Sequence, residues 1–248
     1  MRRYALRDDQ FDRIKDILPG REGHGGTAAD NRLFVEAVLF RFRAGIPWRD
    51  LPERFGDWKI VYQRFNRWAK SGVFERVFRL LASDHDNEYM MIDATIVRAH
   101  QHSAGAQKDG AQAIGRSRGG LTTKIHALVD ALGNPVEVML SAGQDHDLTC
   151  AEPLIEAVSP GALIADKAFD ADTFIATLDD RAIAPVIPSK SNRKTPRTYD
   201  FALYCERNLI ERFFNLLKHF RAIATRYDKL AKTFLAGVQL ACAAILLN

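Results

Sequence analysis

Cysteine is scarce in this chain of 248 residues. Cys150, Cys205 and Cys242 stand far apart, with no C-x-x-C pair. That excludes a disulfide framework and suits a reducing cytoplasm. Long apolar runs are also missing. The longest, near Leu235 to Leu247, is too short and too interrupted to span a bilayer. The start, MRRYALRDDQ, has no apolar core of a signal peptide. The expectation is a cytoplasmic protein with no membrane partner. There is no internal repeat, and the composition is globular, with 47% hydrophobic and 27% charged residues. The net charge of +4 leans only weakly toward a polyanion.

The distribution of charge is more informative than its sum. From Val186 to Lys232 there are eleven Lys or Arg against four Asp or Glu. This surplus exceeds the net charge of the whole chain, so a positive field is concentrated there. Inside that region lies YCERNLIERFFNLLK, residues 204–218. At 3.6 residues per turn, Tyr204, Arg207, Glu211 and Lys218 fall within a stripe roughly 60° wide. Leu209, Ile210, Phe213, Leu216, Leu217 and Phe220 occupy the other side. The spacing predicts one amphipathic helix presenting a carboxylate among a phenol, two cations and two amides, Asn208 and Asn215.

The first 80 or so residues read as helical. Phe11, Ile14 and Leu18 recur at helical spacing up to Pro19-Gly20, and a glycine-rich loop, GREGHGG, follows. Leu33 to Arg43 reads as a second helix stopped by Gly45. Asp57 would cap a third, with Trp58, Val61, Phe65 and Trp68 inward and Lys59, Gln63, Asn66, Arg67 and Lys70 outward. Two helices, a turn and a helix with a basic and amide face suggest a helix-turn-helix in which Lys59, Gln63 and Arg67 meet DNA. A plain helical bundle with a solvated face fits the same pattern.

Beyond Glu88 the periodicity changes. MMIDATIV reads as a strand interrupted by one acid. LTTKIHALVDA and PVEVMLSAG alternate as a hairpin. A helix over 148–158, the strand ALIADKAF, a helix over 172–180 and the strand APVIPS come next. The basic loop SKSNRKTPRTYD, the glutamate helix and a last apolar helix follow. Three strands, helix, strand, helix, strand, helix is the order of a ribonuclease-H-like fold. The expected architecture is α+β or α/β, with an all-helical domain over residues 1–83 and a mixed five-stranded sheet with helices over 84–248.

Two of these strands carry an acid where a core residue belongs, Asp93 in MMIDATIV and Asp166 after LIA. A carboxylate there costs several kcal/mol unless it is paired or binds a metal. In such a sheet the first and fourth strands are neighbours, so the two acids would emerge together. Glu211 would complete an oxygen-ligand site suited to Mg²⁺ or Mn²⁺, with two ions expected.

The run Y-x2-R-x3-E-x6-K at Tyr204, Arg207, Glu211 and Lys218 resembles the glutamate signature of insertion-sequence transposases of the DDE type, in particular the insertion-sequence-five family. IDATIVRAHQHSAGA is similar to its first-aspartate motif and ADKAFD to its second. Ala168 stands where some relatives have glycine. The resemblance implies metal-dependent cleavage at the ends of an element by Asp93, Asp166 and Glu211, then attack of the new 3′-hydroxyl on target DNA. It implies that Tyr204, Arg207 and Lys218 hold phosphates. The expected partner is double-stranded DNA, bound by a homodimer at the nucleoid, and no small-molecule substrate is expected. Two alternatives remain open: a nuclease of the same fold that cuts without joining, and a non-catalytic DNA-binding repressor.

Other residues have weaker claims. Lys190, Arg193, Lys194 and Arg197 are candidate phosphate contacts by charge alone. Arg98, Arg116, Arg118 and Lys124 could clamp DNA or lie in a mobile connection. Asp145 and Asp147 could be a rival acid pair, although Asp147 reads more simply as a helix cap. Asp170 and Asp172 also read as caps. His100, His102 and His126 could gather a zinc ion, but phosphate contact or solvation fits their loop setting better.

Overall fold

The structure is a computed structural model and describes residues 5–20, 30–104 and 112–248. Most of the glycine-rich loop GREGHGG and part of the 103–120 connection lie outside these residues. The helices, in chain order, are α1 (Asp8–Asp12), α2 (Asn31–Ala44), α3 (Trp58–Lys70), α4 (Val73–Leu81), α5 (Ala151–Ile155), α6 (Asp172–Asp180), α7 (Phe201–Tyr204), α8 (Asn208–Lys218), α9 (Arg221–Ala224) and α10 (Ala231–Leu246). The strands are β1 (Tyr89–Ala99), β2 (Gly115–Ser117), β3 (Gly120–Asp130), β4 (Pro135–Ala142), β5 (Ala162–Ile164) and β6 (Ala184–Val186). Among the described residues no helix is long and apolar enough to cross a membrane.

The chain separates into two compact units. One comprises residues 1–81, 100–106 and 217–248; the other comprises 82–99 and 107–216. The expected division is 1–83 and 84–248; in the compact units α9 and α10 group with the N-terminal helices.

The physical reason is the composition of α10. Phe234, Val238, Leu240, Ala241 and Cys242 are all buried, so this helix is apolar nearly all round and needs partners on several sides. It packs against α2, α3 and α4. Gly237 lets α2 approach closely, because a Cβ there would stand 2.2 Å from the ring of Phe42.

The other helices of this unit follow their local signals. The Asp30 carboxylate accepts from the Leu33 amide and caps α2. Gly45 ends α2 in the left-handed region at φ 70°. Asp57 accepts from the Lys59 amide at 2.8 Å and caps α3. The first predicted helix is shorter than expected, α1 followed by a 3-10 turn over Lys15–Ile17, yet Ile14 and Leu18 are buried as the spacing implied.

The second unit is built on a mixed sheet. β3 pairs antiparallel with β1 and with β4. β5 pairs parallel with β1, and β6 parallel with β5. The order β4-β3-β1-β5-β6, with the second strand of these five antiparallel to the rest, is the ribonuclease-H-like arrangement. β2 is a short extra strand paired antiparallel with β3.

One face of the sheet carries Met90, Ile92, Leu128 and Leu163 against Leu154, Ile155, Phe174 and Leu178 of α5 and α6. Each such side chain contributes about 1.5–3 kcal/mol when fully buried. Side chains alternate along a strand. Met91 and Asp93, and Ile164 and Asp166, therefore belong to the opposite face.

Candidate active site

Register brings the first two acids together. Met91 of β1 pairs with Ile164 of β5 in parallel. Asp93 lies two residues beyond Met91, and Asp166 lies two residues beyond Ile164, so both reach the same level on the same face. Asp93 is one-fifth exposed at its side chain. Its Oδ1 accepts from the Ala94 amide at 2.7 Å. Asp166 accepts from the Ala168 amide at 2.7 Å, capping a 3-10 turn over Lys167–Phe169.

Arg207 connects these acids to the third. Its Nη1 donates to Asp93 Oδ2 at 2.8 Å, and its Nη2 donates to Glu211 Oε1 at 2.5 Å. Burial pushes the Asp93 pKa up; the Ala94 amide and the charge of Arg207 pull it down, and the negative charge of Asp166 pushes it further up. The net direction is upward, with burial the largest cause. Among the described residues no three His, Cys, Asp or Glu side chains are gathered as ligands of one ion. Arg207 lies between Asp93 and Glu211 and bridges the two. The hard oxygen donors of Asp93, Asp166 and Glu211 match the chemistry of Mg²⁺ or Mn²⁺.

The expected single helix over 204–218 is segmented. α7 ends at Tyr204, Cys205–Arg207 form a 3-10 turn, and α8 starts at Asn208. The tighter turn shifts Tyr204 relative to the α8 stripe, and its ring meets Tyr199 edge-on, with centroids 5.5 Å apart. Ile210, Phe213 and Phe214 are buried as an apolar face requires, whereas Leu216 is exposed. Lys218 ends α8 and clusters with the helical unit.

The basic loop differs from the expectation drawn from its charge. Arg193 lies 2.8 Å from both Asp170 and Asp172, and Arg197 also pairs with both. Asp170, nearly fully buried, accepts as well from the Lys190 amide at 2.8 Å. Desolvation would raise its pKa. The hydrogen bonds from Arg193 and the Lys190 amide, with the charges of Arg193 and Arg197, overcome that and hold it below the usual carboxylate range. Arg193 and Arg197 thus have their charges matched within the protein, and Asp170 is no helix cap but the anchor of the loop. Lys190 and Lys194 are exposed.

Three other readings change. Asp147 pairs with Lys124 at 2.8 Å, and Asp145 accepts from the Ala142 amide at 2.9 Å. Neither is part of a rival acid site, and Lys124 is tied to structure rather than free for DNA. His126 is fully buried, with Nε2 2.8 Å from the Ser141 hydroxyl, which removes it from solvent and phosphate alike. His100 and His102 meet edge-on at 4.6 Å between rings. Arg98, Arg116 and Arg118 are exposed.

Two concave surfaces stand out. In the helical unit, a cleft of about 500 Å³ is lined by Gln63, Asn66, Arg67, Lys70 and Ser71, on the α3 face that sequence singled out. Lys59 is exposed on the same helix. In the sheet unit, a cleft of about 330 Å³ is lined by Asp166, Lys167, Lys190, Ser191, Asn192 and His146. His146, Lys167, Ser191 and Asn192 escaped the sequence reading. The one local signal for them is a cation directly after the second acid.

The family profile of the transposase DDE domain matches residues 85–246. A profile of putative transposases of the IS4/5 family matches residues 6–78. The chain is 50% identical over 105 residues to the uncharacterized protein y4sN of Sinorhizobium fredii, covering 42% of this chain and 84% of that one. It is 41% identical over 132 residues to a putative transposase for insertion sequence element IS6501 of Brucella ovis, covering 52% of this chain and all of that one. A putative transposase for IS402 of Burkholderia cepacia is 30% identical over 156 residues, covering 58% and 71%. The solved piggyBac transposase in a synaptic complex with hairpin DNA is similar at 13% identity and a TM-score of 0.42, covering 77% of this chain and 50% of that one. With the DDE-domain match running through about two thirds of its length and the helical region matched separately, this chain belongs to the DDE transposases of insertion sequences, enzymes that act on DNA.

Proposed function

We propose that this protein binds the terminal inverted repeats of its insertion sequence, cleaves the DNA strands there and joins the freed 3′-hydroxyls to target DNA. One observation carries the reading: Asp93 lies on β1 two residues past Met91, Asp166 lies two residues past its partner Ile164 at the end of the parallel strand β5, and Arg207 links Asp93 to Glu211. Asp93, Asp166 and Glu211 would hold the divalent metal, Mg²⁺ or Mn²⁺, which supplies activation of a water or 3′-hydroxyl and stabilises the leaving oxygen.

The chain's own groups do the rest. The paired aspartates form an anionic floor that repels phosphate until a cation is present. Arg207 offers two donors on separate nitrogens, the geometry that grips a phosphate. Tyr204 stands one turn before it on the same segment. In cleavage, a water oxygen bonds to phosphorus as the P–O3′ bond breaks, leaving a 3′-hydroxyl and a 5′-phosphate. In joining, that 3′-hydroxyl attacks a target phosphodiester and displaces its 3′-oxygen. The exposed α3 face, with Lys59, Gln63 and Arg67, suits base and phosphate contact in a groove of the element's ends. Lys218, Lys190 and Lys194 add phosphate contacts, and two copies would hold the two ends.

A supercoiled plasmid carrying matched inverted repeats tests this. With Mg²⁺ or Mn²⁺, strand-transfer products are expected. Cleaved ends without joined products would leave the nuclease reading in its place. Binding to end DNA without any cleavage would favour a repressor.

A further inference from the structure

We propose that the cleft between the Asp166 turn and the 190–192 loop seats a backbone phosphate of the DNA strand, next to the phosphodiester that reacts. This rests on the transposase reading and adds to it a subsite with its own residues.

The lining is almost all donors. Lys167 and Lys190 bring two cations, Ser191 a hydroxyl, Asn192 an amide and His146 a ring, against the single carboxylate of Asp166. A volume of about 330 Å³ admits a phosphate with its sugar. Asp166 turns one oxygen inward to the Ala168 amide, so an anion in the cleft lies beside the acid without displacing its cap.

The cleft is also built. Asp170 fixes the Lys190 backbone through the amide hydrogen bond of 2.8 Å. The Arg193 amide closes a turn onto the Lys190 carbonyl at 3.0 Å, and the Arg197 amide donates to the Ser189 hydroxyl at 2.7 Å. Arg193 and Arg197 meanwhile bind Asp170 and Asp172. The two arginines hold the loop, and the two lysines it carries or faces remain for an anion. Such preorganisation avoids the ordering cost that a mobile lysine would meet on binding. A strand whose phosphodiester lies at Asp93 and Asp166 passes its adjoining phosphate across this lip.

The test compares the full chain with Lys167→Ala/Lys190→Ala on end-sequence duplexes. The double variant should keep the wild-type melting temperature and bind about tenfold more weakly at low salt. The slope of log affinity against log salt should fall by about one, the signature of one phosphate. A scan of single neutral methylphosphonates across the cleavage point then locates that phosphate. The wild type should lose affinity at one position beside the scissile bond, and the double variant should be insensitive there.

An unchanged slope together with an unchanged scan overturns the subsite, while wild-type cleavage in the same assay leaves the transposase reading standing. Competition by inorganic phosphate or a free nucleotide, with no sensitive position in the strand, also overturns it. A wild type that neither binds nor cuts end DNA removes both.

Discussion

Arg207 Nη1 lies 2.8 Å from Asp93 Oδ2, and the same guanidinium reaches Glu211 through its other nitrogen. One cation thus offsets an acid on a strand 114 residues before it and an acid on a helix 4 residues after it. Removing it should leave Asp93 and Asp166 facing each other uncompensated. Arg207→Ala is expected to cost about 1–2 kcal/mol, a partly exposed pair being weaker than a buried one. Mg²⁺ or Mn²⁺ should restore more melting temperature to the variant than to the wild type. Arg207→Lys should behave more like Ala than its charge implies, because a single ammonium cannot span both carboxylates. Thermal melts with and without metal decide this; a metal effect equal in all three proteins would refute it.

Asp93→Asn, Asp166→Asn and Glu211→Gln should each abolish cleavage. Their melting temperatures should hold or rise, because desolvation of Asp93 and its repulsion from Asp166 are relieved. Plasmid cleavage and calorimetry together separate this from misfolding. Retained cleavage by any one variant would remove that residue from the site.

Asp170 should behave in the opposite way. Its side chain is buried against Arg193 and Arg197, with the Lys190 amide and Asp172 alongside. Asp170→Ala should cost about 3 kcal/mol, near the lower end for a broken buried pair because Asp172 remains. The pH dependence follows from the depressed pKa. The unfolded carboxylate titrates near ~3.9, so the stabilisation is fully present above that value and is lost as pH falls through the lower folded pKa. Acid melts of wild type and Asp170→Asn should therefore converge below about pH 4. Curves that stay parallel would mean the carboxylate charge is not what holds the loop.

The helical unit should depend on the C-terminal helix. A fragment of residues 1–83 lacks α10 and exposes the faces of α2, α3 and α4 that it covers. It should show no cooperative melt, whereas joining residues 217–248 to it should restore one. Gly237→Ala in the full chain should lower stability by about 1–3 kcal/mol through overpacking against Phe42, despite the better helix propensity of alanine. A cooperative melt of the short fragment would show that α10 is dispensable.

Much of this protein could be read from local pattern. The α3 face, the hairpin of β3 and β4 and the α6 boundaries all follow from periodicity, caps and turn residues, because those are short-range effects. The two acids in apolar strands were legible for the same reason: a carboxylate is conspicuous where alternation calls for Met or Ile.

What required the tertiary structure were choices between partners. Sequence could count the charges of Arg193, Arg197, Lys124 and Lys190, but not which of them meet Asp170, Asp172 or Asp147, since an ion pair depends on distances set by loops folding back over 20 or more residues. Nor could it place α10 with the first helices rather than the sheet, because a helix apolar on every side fits either core. The site follows the same division. Its acids are determined by the sequence. Strand register decides how Asp93 comes level with Asp166, and packing decides that Arg207 lies between Asp93 and Glu211.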